Sequence, residues 1–170
     1  MLDLAAPLME IDLRRTTKND IPYVLSAEGD EDNRRFITVW PEQKHRAVLD
    51  DANIEHLILE SKPNSQRIGF VILAGLQGEH RSIEFMRLVV TDKGKGYGRS
   101  AVRAIKRHAF ETLSAHRLWL DVKEHNTRAR ALYENEGFRY EGTLRDCLKG
   151  PEGFESLVVM SVLEQEYRNA

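Results

Sequence analysis

Residues 82–99 read Ser82-Ile83-Glu84-Phe85-Met86-Arg87-Leu88-Val89-Val90-Thr91-Asp92-Lys93-Gly94-Lys95-Gly96-Tyr97-Gly98-Arg99. The first nine form an apolar run long enough for a strand at the centre of a sheet. Gly94, Gly96 and Gly98 then let the backbone turn sharply, so that several N–H groups can point at one anion. Downstream, Val102, Ile105, Ala109 and Leu113 recur at intervals of three and four, while Arg99, Arg103, Lys106 and Arg107 fall on the other side. That is the pattern of an amphipathic helix. Its N-terminus adds partial positive charge to the turn, and Lys93, Lys95 and Arg99 add full charges. A pyrophosphate is the ligand this chemistry suits. A glycine-rich turn with no ligand is the plain alternative.

Two phosphate motifs with related composition fail on spacing. The dinucleotide fingerprint Gly-x-Gly-x-x-Gly needs a glycine three residues after Gly96, where Arg99 stands. The nucleotide-hydrolase loop needs Gly-Lys followed by Ser or Thr, and here Gly94-Lys95 precedes Gly96.

Outward from this centre, residues 56–60 and 67–73 read as a hairpin about the turn Pro63-Asn64-Ser65. Residues 11–15 alternate as a strand, followed by a helix capped near Asn19-Asp20 with Pro22 in its first turn. Residues 32–51 show helical spacing that Pro41 breaks or restarts. On the C-terminal side, residues 117–122 form a buried strand. Asn126 caps a helix through Ala129, Leu132 and Tyr133 that stops at Gly137. Residues 138–144 and 154–163 then make a final pair of strands about Gly150-Pro151-Glu152-Gly153. Hairpins combined with one strand-helix-strand crossover predict a single α/β domain, residues 1–170, with a mixed sheet. Residues 1–8 read as a flexible tail.

The chain has 170 residues, 25 basic and 27 acidic, for a formal charge of −2. No bulk charge favours nucleic acid or an anionic membrane, so any anion site is local. The single cysteine, Cys147, fits a reducing compartment, and six scattered histidines show no metal-ligand spacing. The N-terminus does not read as a signal peptide, and no run approaches the roughly 20 apolar residues of a membrane span. The expectation is a cytoplasmic protein without a bound metal.

A second motif gives the turn a context. Lys93-Gly94-Lys95-Gly96-Tyr97-Gly98 resembles the Arg/Gln-x-x-Gly-x-Gly/Ala acyl-CoA signature of the GNAT superfamily of N-acetyltransferases. The segment Asn126-Thr127-Arg128-Ala129-Arg130-Ala131-Leu132-Tyr133-Glu134-Asn135-Glu136-Gly137-Phe138 resembles that superfamily's Asn-x-x-Ala-x-x-x-Tyr-x-x-x-Gly-Phe. The order of elements agrees with that fold. Lys93 departs from the usual Arg or Gln, and Val90 stands where many members have proline, so the strand is expected to run further before turning.

The resemblance implies a GNAT-like fold with splayed central strands and direct transfer of the acetyl group of acetyl-CoA to a primary amine. Small amines or polyamines, protein N-termini and lysines all stay open as acceptors. Backbone groups of Met86, Leu88 and Val90 would pair with the cofactor's arm, the turn Lys93, Gly94, Lys95, Gly96, Tyr97, Gly98 and Arg99 would hold its pyrophosphate, and Asn126 would contact it. Tyr133 would be the general acid. Glu84, nine residues before Lys93, would be the base working through water, as in polyamine-type members; a salt bridge to Arg87 or Arg117 is the alternative for it. Trp40, His45, Tyr140, Arg145 and Asp146 are candidates for the acceptor cleft, and the acidic run of residues 28–32 could attract a polyamine. Dimers are common in the family, and the last hairpin offers an interface. A non-catalytic acyl-CoA sensor is the competing function.

Overall fold

The computed structural model describes residues 8–170; apart from Leu8, the expected N-terminal tail lies outside the described residues. Seven strands form one sheet in the order β1-β2-β3-β4-β5-β7-β6. They are β1 (Ile11–Arg15), β2 (Ile54–Ser61), β3 (Gln66–Ala74), β4 (Ser82–Val90), β5 (Arg117–Lys123), β6 (Arg139–Gly150) and β7 (Gly153–Leu163). All neighbours are antiparallel except β4 and β5, which run parallel. A parallel pair needs a crossover, and the basic amphipathic helix α4 (Tyr97–Arg107) supplies it. The apolar run expected at the centre is the fourth of the seven strands. It ends at Val90, so the absence of proline there does not prolong it. The glycines that follow set the end.

Two apolar layers sandwich the sheet. On one face Ala101, Val102 and Ile105 of α4 pack with Leu57, Val71, Leu73, Ile83, Phe85, Leu118 and Leu120. On the other, Val24 and Ala27 of α1 (Ile21–Gly29) and Val48 of α3 (Glu42–Val48) pack with Trp40, Ile58, Phe70, Ile72 and Val89. That second layer uses strand residues of β2, β3 and β4 only, so the helices over it stop at the middle of the sheet. The expected helix at residues 32–51 resolves into a short α2 (Glu31–Arg34) and α3, with Pro41 as the N-cap of α3. The chain after α4 continues as a π-helical turn, His108–Thr112. It closes with α5 (Thr127–Asn135) between β5 and β6 and α6 (Glu164–Arg168), the latter carrying no sequence signal that set it apart from β7.

β3 and β4 must approach closely near the end of β4. A Cβ on Gly69 would sit 2.1 Å from the carbonyl oxygen of Val89, opposite Val90 in the register. Nothing but backbone occupies that contact, so it cannot relax by moving a side chain. Gly69→Ala is expected to lower stability by about 2–3 kcal/mol. Denaturant unfolding checks this, and an unchanged midpoint would show that the strands have room to part.

Candidate active site

β4 and β5 are paired only at Ser82↔Arg117, Ile83↔Leu118 and Glu84↔Trp119. From there β4 follows β3 up to Val90, and β5 follows β7 to Lys123↔Leu157. The two central strands therefore diverge, and their facing edges carry N–H and C=O groups with no strand partner. Unpaired backbone in a sheet interior invites an extended ligand. Met86, Leu88 and Val90 lie on the β4 side of this gap.

β4 also changes face within it. Arg87 pairs with Ile72 and Phe85 with Leu73, so Met86 is an inserted bulge residue. Before it, Ile83 and Phe85 point to the α4 layer; after it, Val89 points to the α1 layer while Leu88 and Val90 contact the α4 layer. By the same alternation Glu84 lies on the α1 side, as do Met86 and Arg87.

The glycine turn leads from the gap into α4. Gly94 and Gly96 have φ of 80° and 79°, the left-handed region that side chains disfavour. A Cβ at either would meet nothing within 4 Å, so conformation and not crowding requires glycine there. Gly96 is the N-cap, with no side chain capping the helix. The first helical bond runs from Ser100 N to the Gly96 carbonyl, and the amides of Tyr97 and Gly98 have no acceptor among the described residues. These are ready donors for an anion. Gly98 serves packing: its Cβ would meet Leu132 of α5 at 3.4 Å. The charges are arranged less simply than the sequence suggested. Lys95 pairs with Asp92 at 3.0 Å. Arg99 pairs with the buried Glu136 at 3.0 Å, as Arg103 does at 2.7 Å. Lys93 lines a cleft of about 360 Å³ with Tyr23, Ser26, Asp30, Asp32, Asn33 and Thr91.

α5 brings Tyr133 to the point of divergence. Asn126 Oδ1 caps this helix by accepting from Ala129 N at 3.2 Å, leaving its amide nitrogen without a partner among the described residues. The Tyr133 ring meets Phe85 edge-on at 5.9 Å and Phe138 at 5.7 Å. Phe85 directly follows the last residue of β4 that pairs with β5, so this contact ties the tyrosine to the mouth of the gap. Its hydroxyl has no hydrogen-bond partner among the described residues, and burial pushes its pKa up to about 12. At neutral pH it is a proton donor.

Glu84 is half-buried and makes no ion pair among the described residues. Arg87 is taken by Glu28, and Arg117 by Glu141 at 2.5 Å. Burial first, and then the negative charge of Asp121, raises the Glu84 pKa; partial desolvation also raises that of Asp121, which still reaches solvent. The sequence reading missed Asp121. Its signal is the alternation of β5, where Leu118, Leu120 and Val122 enter the core, which leaves Trp119, Asp121 and Lys123 on the same face as Glu84. Two carboxylates with no cationic partner among the described residues thus stand beside the gap.

Several proposed cleft residues lie elsewhere. Trp40 and His45 are buried and belong to a polar network under α1. Tyr140, Arg145 and Asp146 are on β6, separated from β5 by β7. In the acidic run, Glu28 is buried and Asp30 caps α2 through Asp32 N. Among the described residues, no group of three or more His, Cys, Asp or Glu side chains could hold a metal, and no helix is long and apolar enough to cross a membrane.

Comparison with known proteins gives this arrangement its place. The spermidine N(1)-acetyltransferase of Vibrio cholerae is 24% identical over 172 residues, spanning 94% of this chain and 96% of that protein. The crystal structure of spermidine N-acetyltransferase from Vibrio cholerae in complex with CoA and spermine superposes with a TM-score of 0.84 at 22% identity, covering 94% of this chain and 98% of that one. A chimera of that enzyme and hSSAT gives 0.84 at 23%, covering 94% and 99%. These likenesses show a shared fold. A family model described as an acetyltransferase (GNAT) domain matches residues 10–139, from the approach to β1 through α5. On that match, well over half of its length, the chain belongs to the GNAT acetyltransferase family and is an acetyl-CoA-dependent N-acetyltransferase.

Proposed function

We propose that the acceptor is a primary amine of a linear polyamine, entering on the α1 face of the splay while acetyl-CoA lies along the α4 face. The observation that carries this reading is the pair Glu84 and Asp121. Each carboxylate raises the cost of the other's charge, and no side chain among the described residues supplies the cation that would relieve both. A polyamine supplies several positive charges along one flexible chain, so one ammonium can offset this pair while a terminal nitrogen reacts. The names of the relatives point to the same class of acceptor.

The fit to acetyl-CoA is a property of this chain's own backbone. The uncapped start of α4 suits a pyrophosphate, and the free edge of β4 suits the amide-bearing arm that follows it. The bound cofactor contributes the thioester carbonyl that the amine attacks. An alkylammonium near pKa 10.4 is only about one part in a thousand neutral at pH 7, a penalty of roughly 4–5 kcal/mol. Glu84 accepts that proton through water, since its raised pKa makes it a better base than a solvated carboxylate. The amine nitrogen forms the new C–N bond, the C–S bond breaks, and Tyr133 donates its hydroxyl proton to the departing thiolate. Asp121 keeps the neighbouring ammonium in place.

Free-thiol release from acetyl-CoA across spermidine, spermine, simple monoamines and peptides tests the acceptor. Polyamines are expected to exceed monoamines at least about tenfold in kcat/KM; equal rates would overturn the reading. Tyr133→Phe should reduce kcat by about 10²-fold with the acetyl-CoA dissociation constant within about twofold. Unchanged turnover would remove it as the acid.

Glu84 also makes a stability prediction whose sign is fixed. Its folded pKa lies above the unfolded value, so the folded state holds its proton more tightly, and stability falls as pH rises through the window from the unfolded pKa to the folded one. Glu84→Gln should therefore melt at a higher temperature than the wild type at pH 7, with the gain vanishing below about pH 4. Equal melting at both pH values would show that Glu84 is solvated.

A further inference from the structure

The α1 face carries a second set of titratable groups that the transfer step does not use. Glu28 of α1 is fully buried. Its Oε1 accepts from Arg87 Nη1, while Oε2 accepts from Trp40 N at 3.2 Å and lies 2.9 Å from His45 Nε2. His45 Nδ1 lies 3.2 Å from His56 Nε2, and His56 Nδ1 lies 2.8 Å from Thr16 Oγ1. Burial acts to raise the Glu28 pKa, but the His45 hydrogen bond and the Arg87 charge outweigh it and hold the carboxyl below its ordinary value. The anion is thus fixed, and it fixes Arg87.

What Arg87 does with this rigidity is visible at its other nitrogen. Nη2 donates to the backbone carbonyl of Thr38 at 2.5 Å, and the guanidinium lies 4.8 Å from the centre of the Trp40 ring. Its buried Nε has no acceptor among the described residues, so the group's placement favours those two contacts over satisfying all its donors. Across the gap, Lys123 of β5 makes the matching contact. Its Nζ donates to the Arg35 carbonyl at 3.1 Å and is held 2.9 Å from Glu155. The Phe36 ring adds a contact to His125 at 5.7 Å. One irregular segment, residues 35–38, is therefore tied to β4 at one end and to the end of β5 at the other, each time by a cation backed by its own carboxylate.

We propose that Arg87 and Lys123 are positioning residues that hold residues 35–38 as a bridge across the α1 side of the splay, bounding the space in which the acceptor amine meets Glu84 and Asp121. The inference rests on the acceptor face assigned above. Both anchors grip backbone carbonyls, so the bridge's place is set by β4 and β5 and not by its own side chains. Loosening it affects the amine and leaves the cofactor's turn, on α4, untouched.

The test pairs a kinetic readout with one that needs no acceptor. Trypsin cleaves after Arg34 and Arg35, both exposed, and mass analysis of fragments gives the initial rate at those bonds. In Lys123→Met the rate there should rise about fivefold or more, with the KM for spermidine rising similarly and the KM for acetyl-CoA within about twofold; Lys123→Arg should restore both. The double variant Glu28→Gln with Arg87→Met, which leaves no orphaned buried charge, should change both quantities in the same direction. An unchanged cleavage rate in the two variants would overturn the bridge. Faster cleavage with an unaltered amine KM would overturn its role toward the acceptor. Should the wild type fail to acetylate spermidine, the polyamine reading falls by itself; the KM arm is then run with the best amine of the panel, and the cleavage arm stands as it is.

Discussion

Beyond Glu84 and Trp119 two neighbouring parallel strands stop pairing, and the rest of the site depends on that divergence. Each strand keeps its other neighbour, β3 for β4 and β7 for β5, so the sheet holds together while its centre opens. The edges inside the opening hold polar backbone that a folded protein otherwise pairs. Everything that touches the chemistry is arranged around it: the glycine turn at the end of β4, Tyr133 braced on Phe85, and the two carboxylates on the opposite face.

The bulge at Met86 gives this opening two different sides. Without it, a strict alternation would place Arg87 in the α4 layer beside Phe85 and Ile83, on the opposite face from Glu28. With it, Arg87 turns to Glu28 and the buried network beneath α1. Removing one member of such a pair typically costs about 3–5 kcal/mol because the other charge is left behind. The bulge puts Arg87 on the same face as Glu84, but Glu28 holds its guanidinium, so Glu84 stays without an ion pair among the described residues, a local conflict of the kind found at functional sites.

Much of this was legible in the sequence. The run of residues 82–90, the glycines and the capped helix at Asn126 each carry a local physical signature, and their order along the chain implied a mixed sheet with one crossover. The family motif then named the ligand before any geometry. Other features were hidden for definite reasons. A bulge is a property of the strand pair, and nothing in Phe85-Met86-Arg87 marks it. Asp121 is one polar position in a strand that reads as buried, and its role shows only when β5 is set beside β4. Trp40 and His45 are cleft candidates only through the family resemblance, and Glu28 only as part of an acidic run; the three-dimensional network shows all three buried. Arg99 belongs to a charged turn by sequence and to Glu136 of the α5 end by structure, since one helical turn is enough to swing a long side chain to a new partner.

The claim that the open edge of β4 holds the cofactor is tested most directly by amide hydrogen exchange with and without acetyl-CoA. The account predicts slowed exchange at those amides of residues 85–90 that β3 leaves free and at Tyr97 and Gly98, with β2 and the β6–β7 hairpin unaffected. Protection confined to α1–α3 or to the hairpin, with β4 and the turn unchanged, would contradict it.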